Sequence, residues 1–413
     1  MNKNLDELFI VSGEPLDEDA KSVVGLVRQW ADREILSKRM EYREGYSKLF
    51  AEQRRRLNLD IGIQWLTLPE ENGGFGWNDL SKAVDIAHVL CEIGRADASI
   101  GSLLAVQYAI LATCTMKHNL NRKLCDVFSS LYISDTVRTP ALILPGPGMA
   151  GKTSALFLGR SILTQVKAKK GGYTITGRNL RPLLAGAAAD LFCVVCAGEK
   201  DDRACLALVP GDAHGISTGS PLRTTGLNAC GNADITIDMV SISKENLIDH
   251  DGAAEELHTW LNLLLGAVSV GAGMNFFEIL SDWSETRVIK GGFTLKENPL
   301  CASVLADVAE ETALAKMLLF DLAQVISASA HEGLHTTRAF TYSEIIGNRI
   351  QSSIIKAINR GMELMGSAGY AKEWHVEKHW RDVKTIQSLL YGVGAEAPVK
   401  MDTARFFYNC AEL

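Results

Sequence analysis

The spacing of apolar residues changes twice along this chain, and those two changes restrict its fold more than any single motif does. Over residues 17–40 apolar positions recur at helical intervals (Val23, Val24, Val27, Trp30, Ala31, Ile35), and helical patterns follow over 46–59 and 78–112. After about residue 132 short runs replace them. Ala141-Leu-Ile-Leu144 precedes the turn Pro145-Gly-Pro-Gly148, residues 162–168 alternate, and Asp234-Ile-Thr-Ile-Asp-Met239 alternates again. Two apolar runs, 190–197 and 204–209, flank the polar loop Gly198-Glu-Lys-Asp-Asp-Arg203 and predict a hairpin. From about residue 253 helical spacing returns, predicting helices over 258–289, 299–329, 341–366 and 373–390, with a last turn after 397. The expected fold is therefore α+β in three parts. An all-α domain (1–132) leads into an antiparallel β-barrel or sandwich (133–250), and a four-helix bundle (251–413) closes the chain.

The totals agree with a multidomain globular protein. At 413 residues the chain is too long for one ordinary core. A net charge of -7 argues against a nucleic-acid partner. Met1-Asn-Lys-Asn-Leu-Asp-Glu-Leu8 has no cationic stretch followed by an apolar run, so no signal peptide is expected and the cytoplasm is the expected compartment. The most apolar window, 260–277, contains Asn262, Ser269 and Asn275, which predicts a buried helix and no membrane span. Nine scattered cysteines, an odd number, fit reduced thiols better than a disulfide framework. Cys193 and Cys196 have redox or metal spacing but lie in a strand-like run, and both read as core residues. His331-Glu-Gly-Leu-His335 has zinc-protease spacing, yet it contains Gly333 and falls in a polar link between predicted helices. No metal site is predicted.

Several phrases occur in an order that resembles the acyl-CoA dehydrogenase family: Pro69-Glu-Glu-Asn-Gly-Gly-Phe-Gly76, Arg95-Ala-Asp-Ala-Ser99, Pro145-Gly-Pro-Gly148, Lys244-Glu-Asn-Leu247, Gly366-Ser-Ala-Gly-Tyr370 and Arg381-Asp-Val-Lys384. The resemblance implies FAD lying between the β domain and the bundle, and an acyl-CoA thioester threading between helices. A carboxylate takes the α proton while the flavin accepts the β hydride. Cofactor contacts are implied for Pro145 and Gly146, for Gly366 and Gly369, and for Arg287, which matches an arginine reaching the pyrophosphate from a neighbouring subunit. A homo-oligomer, or a heteromer with a related chain, is implied, with an electron-transfer flavoprotein as electron acceptor.

The side chains at the family's chemical positions differ. Aligned from Arg381, the base falls on Leu390, on Tyr391 with one inserted residue, or on Val393 with two; the alternative position on the first long bundle helix is Leu261. The glutamine before the Gly-Gly turn is Glu363, the Thr-Glu before Pro-Gly is Ile143-Leu144, the following Ser-Asp is Met149-Ala150, and the Trp-Ile-Thr strand is Arg181-Pro-Leu183. Glu396 is the first candidate for a relocated base, followed by Asp97 and Glu92, and Tyr391 is a candidate hydrogen-bond donor. Three functions follow. The chain is an FAD-dependent dehydrogenase desaturating acyl-CoA thioesters, a degenerate subunit paired with an intact paralogue, or a flavin monooxygenase on the same fold.

Overall fold

The computed structural model describes residues 16–42, 46–147, 160–198, 204–330 and 336–409. The zinc-like His331–His335 phrase, the 199–203 loop and Gly148 lie outside them.

The first part is helical: α1 (Glu18–Trp30), α2 (Tyr46–Arg55), α3 (Ala83–Ala96), α4 (Ala98–Thr115) and α5 (Arg122–Tyr132). Asp17 caps α1 by accepting the Ala20 N–H at 2.7 Å. The single helical pattern read over 78–112 is two helices, because Asp97 leaves helical geometry (φ -158°, ψ 124°). Its carboxylate accepts the N–H groups of Ser99 and Ile100 at 2.9 and 3.1 Å, ending α3 and starting α4. Every residue of α4 is buried.

The middle part is an eight-stranded sheet with the path β10-β7-β6-β4-β5-β9-β8, and β1 pairs with β6 off that path. Its strands are β1 (Pro140–Ile143), β4 (Thr164–Lys169), β5 (Gly172–Leu180), β6 (Leu191–Ala197), β7 (Ala204–Pro210), β8 (Ile216–Pro221), β9 (Ala233–Ser243) and β10 (Leu247–Ile248). A separate short pair joins β2 (Gly146–Pro147) to β3 (Arg160–Ser161). The predicted hairpin is present as β6 and β7, paired from Leu191↔Pro210 to Ala197↔Ala204. The sheet is mixed where pure antiparallel pairing was expected: β1 runs parallel to β6, and β4 meets β6 in parallel at Gln165↔Ala197. Cys193 and Cys196 are fully buried in β6 with free thiols.

The last part contains α6 (Ala253–Thr286), α7 (Pro299–Ala328), α8 (Thr336–Met365), α9 (Val376–Tyr391) and α10 (Val393–Tyr408). The terminal turn expected after 397 is in fact α10, a 16-residue helix that carries Pro398 inside it. The first four form the up-down bundle. Asn262, Gly273 and Phe276 of α6 lie against Gly347, Ile354 and Gly361 of α8, so those two helices run parallel. The Lys356–Glu311 and Arg360–Asp307 pairs run α7 the other way, and Tyr391 and His379 do the same for α9. By length and apolarity α4 and α6 could each cross a membrane, but 100% and 83% of their most apolar windows are buried inside the protein. Close approach of α3 and α6 depends on glycine. A Cβ at Gly94 would lie 2.4 Å from the Val268 carbonyl oxygen, and one at Gly271 would lie 2.0 Å from that of Cys91.

One ionic junction joins all three parts. Lys378 of α9 donates to Asp97 at 2.7 Å and to Asp382 one turn along its own helix. All three are buried, at 8%, 5% and 1% exposure. The other oxygen of Asp382 accepts the Leu227 N–H at 2.8 Å from the loop between β8 and β9. The same loop places its Thr225 carbonyl 2.6 Å from Arg381 Nη1. The two aspartates hold the Lys378 ammonium well above its usual pKa against the opposing effect of burial. A cavity of about 30 Å³ beside it has space for a water or two. Lys378→Met, which strands two carboxylates in the interior, should destabilise the fold by about 3–5 kcal/mol. Urea unfolding followed by circular dichroism measures this.

Candidate functional site

The turn between α9 and α10 is where the dehydrogenase resemblance places the catalytic carboxylate. Leu390 (4% exposed) and Tyr391 (7%) end α9 with their side chains in the bundle, and Leu261 on α6 is fully buried. The Tyr391 hydroxyl donates to Asn262 Oδ1 at 2.6 Å, so its proton faces the bundle interior. Space for that hydroxyl comes from Gly347 of α8, where a Cβ would sit 2.2 Å from the oxygen. Asn262 Nδ2 donates to Ser343 Oγ at 3.0 Å, and Ser343 in turn donates to the Phe340 carbonyl at 2.8 Å. His258, one turn earlier on α6, has Nδ1 3.2 Å from Glu344 Oε1 on α8 and 3.4 Å from Asn262 Nδ2. Tyr391, Asn262, Ser343, His258 and Glu344 thus form a connected polar line across the bundle. All are buried, with Asn262, Ser343 and Glu344 at 0%.

The candidate bases are placed elsewhere. Glu396 stands in the first turn of α10 with half its side chain exposed and paired to Lys400. The Lys400 hydrogen bond and charge pull its carboxyl below the usual range. A solvated, ion-paired carboxylate of that kind is a weak base, which removes the geometric ground for Glu396 as catalyst. Tyr391, the candidate donor, directs its hydroxyl proton to Asn262 Oδ1. Asp97 caps α4 and binds Lys378, while Glu92 lies 2.5 Å from Arg28 Nη2 and 3.6 Å from Arg95 Nη1. The His258–Glu344 pair was not legible in the sequence, because its members sit on different helices.

The predicted cofactor contacts fall into two groups. Pro145 and Gly146 lead into β2, which packs against α10. Arg287 ends α6 and Gly366 follows α8, so both lie at the other end of the bundle. From Asn262 to Arg287 the rise of α6 is roughly 37 Å. Arg287 and Gly366 therefore stand at the end of the bundle away from Tyr391. Arg287 is exposed and has no ion pair among the described residues, which suits a cation held for a phosphate. Gly366 has φ +60° with nothing within 4 Å of a Cβ, leaving its backbone open to a ligand; Gly369 is buried against the Met362 carbonyl and serves packing. Glu363 is exposed and paired with Arg360.

Just past β5, Arg181 forms a two-pronged pair with Asp234 at 2.7 and 2.8 Å, and the Leu183 N–H donates to the Leu142 carbonyl at 2.7 Å. Ile143 and Leu183 are buried apolar neighbours there. The residues present fit FAD at its phosphate end through Arg287 and Gly366. At the ring end they offer backbone and apolar side chains where the family has hydroxyl and aromatic groups. Two further polar atoms, Ser102 Oγ on α4 and Trp260 Nε1 on α6, are buried with no hydrogen-bond partner among the described residues. Such groups are commonly satisfied by water or ligand.

Tyr391→Phe leaves Asn262 Oδ1 unpaired in the interior and should cost about 1–3 kcal/mol, read as a lower thermal midpoint. Glu396→Gln should leave turnover with acyl-CoA unchanged in a steady-state assay.

Comparison with known proteins gives the same family at both ends of the chain. The family models "Acyl-CoA dehydrogenase, N-terminal domain" and "Acyl-CoA dehydrogenase, C-terminal domain" match residues 17–119 and 263–390. Cyclohex-1-ene-1-carbonyl-CoA dehydrogenase of Syntrophus aciditrophicus is 25% identical over 393 residues, covering 90% of this chain and 86% of that protein. Among solved structures, glutaryl-CoA dehydrogenase from Mycobacterium smegmatis superposes with a TM-score of 0.76 at 16% identity, covering 98% of both chains. Butyryl-CoA dehydrogenase from Megasphaera elsdenii does so with a TM-score of 0.76 at 17% identity, covering 96% of this chain and 100% of that one. With helical domain, sheet and bundle in matching order, this chain belongs to the acyl-CoA dehydrogenase family.

Proposed function

We propose that the chain is an FAD-dependent oxidoreductase that introduces an α,β double bond into an acyl-CoA thioester. The family match at both ends of the chain, around an intact three-part fold, carries this reading. FAD, when bound, supplies the hydride acceptor. Pro145 and Gly146 would approach its ring end from β2, with Leu183 and Leu390 excluding water. Arg287 and the open Gly366 backbone would take phosphate. Their separation from the Tyr391 end by most of the length of α6 favours their serving the cofactor of a second copy, or of a related chain, in an oligomer. Ser102 and Trp260 would offer a hydroxyl and an indole N–H to the thioester end of the substrate. An electron-transfer flavoprotein is the proposed electron acceptor, and the cytoplasm the proposed location.

One observation favours a second reading. Leu390, Tyr391 and Leu261 present no carboxylate at the family's base positions, and Tyr391 is tied to Asn262. That arrangement suits a non-catalytic subunit completing the site of a related chain.

The purified chain separates the two. A flavin visible spectrum that is bleached anaerobically by an acyl-CoA thioester without NAD(P)H is the expected result. No flavin after addition of FAD would refute the first reading, and flavin present only upon co-purification with a related chain would establish the second. The phosphate-end assignment predicts that Arg287→Ala lowers flavin content while leaving the thermal unfolding profile of the flavin-free protein unchanged.

A further inference from the structure

We infer that Cys196 and Cys205 form a peroxide-responsive dithiol, which closes to a disulfide across the β6–β7 hairpin. The two residues are direct partners in the antiparallel register of β6 and β7. Side chains paired in this way lie on the same face of a sheet. Cα atoms of directly opposed antiparallel residues stand about 4.5–5.5 Å apart, inside the window of roughly 4.4–6.8 Å that a disulfide spans. The Cys205 thiol already reaches across the hairpin, with Sγ 3.6 Å from the Cys196 carbonyl oxygen. Both cysteines are free thiols. Among the described residues they are the one pair of cysteines in strand register, since Cys193 stands opposite Leu142 and Leu208. Cys193 lies three positions from Cys196 and so points to the other face of β6.

The surroundings of the pair decide its chemistry. Cys196 is 0% and Cys205 6% exposed, in a strand end next to half-buried Ala204. Burial, with the charge of Asp249 behind it, pushes the Cys205 thiol up to about 12, and burial raises Cys196 as well. Little thiolate is present at neutral pH, so the pair stays reduced under ordinary conditions and responds to sustained oxidant. Cys205, the more accessible sulfur, reacts first with hydrogen peroxide. Its sulfur takes one peroxide oxygen to give a sulfenic acid, and water leaves. The Cys196 sulfur then attacks that sulfur, the S–O bond breaks, and a second water leaves as the S–S bond forms. Two thiols thereby lose two electrons and one peroxide becomes two waters. A sulfenic acid this enclosed meets the facing thiol before any bulky thiol from solution, which directs the product to the internal bond. Because β6 also meets β1 and β4, the bond staples the strand on which these pairings converge.

Mass spectrometry and thermal unfolding of the holoprotein test this. The protein is treated with hydrogen peroxide, cleared with catalase, and unfolded in guanidinium chloride containing N-ethylmaleimide. Trypsin cuts after Lys200 and Arg203, so the two cysteines leave on separate peptides unless they are bonded. The expected product, without reduction, is those peptides joined with loss of two hydrogens and released by dithiothreitol. Fragmentation distinguishes Cys196 from Cys193 on the first peptide. The bonded protein should unfold at a thermal midpoint about 3 °C or more above the reduced one. Cys196→Ser should abolish both the joined peptides and the shift. Labelling of both cysteines after peroxide treatment, or a bond from either to another cysteine, overturns the pairing. A joined pair whose midpoint equals that of the reduced protein overturns the staple. If Cys196→Ser does not fold, Cys205→Ala makes the same comparison, and a shift that survives in it overturns the assignment. Neither readout involves flavin or acyl-CoA, so the pair is independent of the dehydrogenase reading.

Discussion

The Lys378 ammonium, held between Asp97 and Asp382, is the contact on which the arrangement of the three parts depends. Each partner has a second task. Asp97 ends α3 and starts α4, while Asp382 grips the loop between β8 and β9 through the Leu227 N–H. Ionic contacts buried this deeply are strongly penalised when left incomplete, so the helical domain, the sheet and the bundle cannot shift independently at this point. From Lys378 to Tyr391 the helix rises by roughly 20 Å, and α9 carries the positional certainty of the junction to its other end.

Much of this architecture was legible because it follows from local periodicity. Long helical runs predicted the bundle, and the apolar runs on either side of 198–203 predicted β6 and β7. The errors share one cause, which is that they depend on partners distant in sequence. Nothing in Pro140-Ala-Leu-Ile143 discloses that β1 pairs in parallel with β6. The break at Asp97 is a capping event inside an otherwise uniform apolar pattern. Only a last turn was expected after 397, yet α10 forms there and accommodates Pro398 near its first turns.

The candidate site was legible in its losses more than in its contents. Leu390, Leu261 and Arg181 stand out as departures without any coordinates. That Tyr391 turns inward, and that Glu396 is solvated beside Lys400, requires knowing which helical face each occupies. The polar line through Asn262, His258, Ser343 and Glu344 draws residues from α6 and α8, and each alone reads as an isolated polar residue in an apolar helix. Only the parallel packing of those two helices brings them into register.

Gly347 gives this site a history as well as a shape. A methyl group there would collide with the Tyr391 hydroxyl, so the order in which the two positions change matters. A chain with a larger residue at 347 must lose it before a tyrosine at 391 can point inward. A chain moving back toward a carboxylate at 391 would set that oxygen against Asn262 Oδ1, acceptor facing acceptor, unless the amide first turned over. The path between this turn and an ordinary dehydrogenase turn therefore passes through at least three positions whose substitutions depend on sequence order, and single exchanges at any one of them are poor guides to what the others permit.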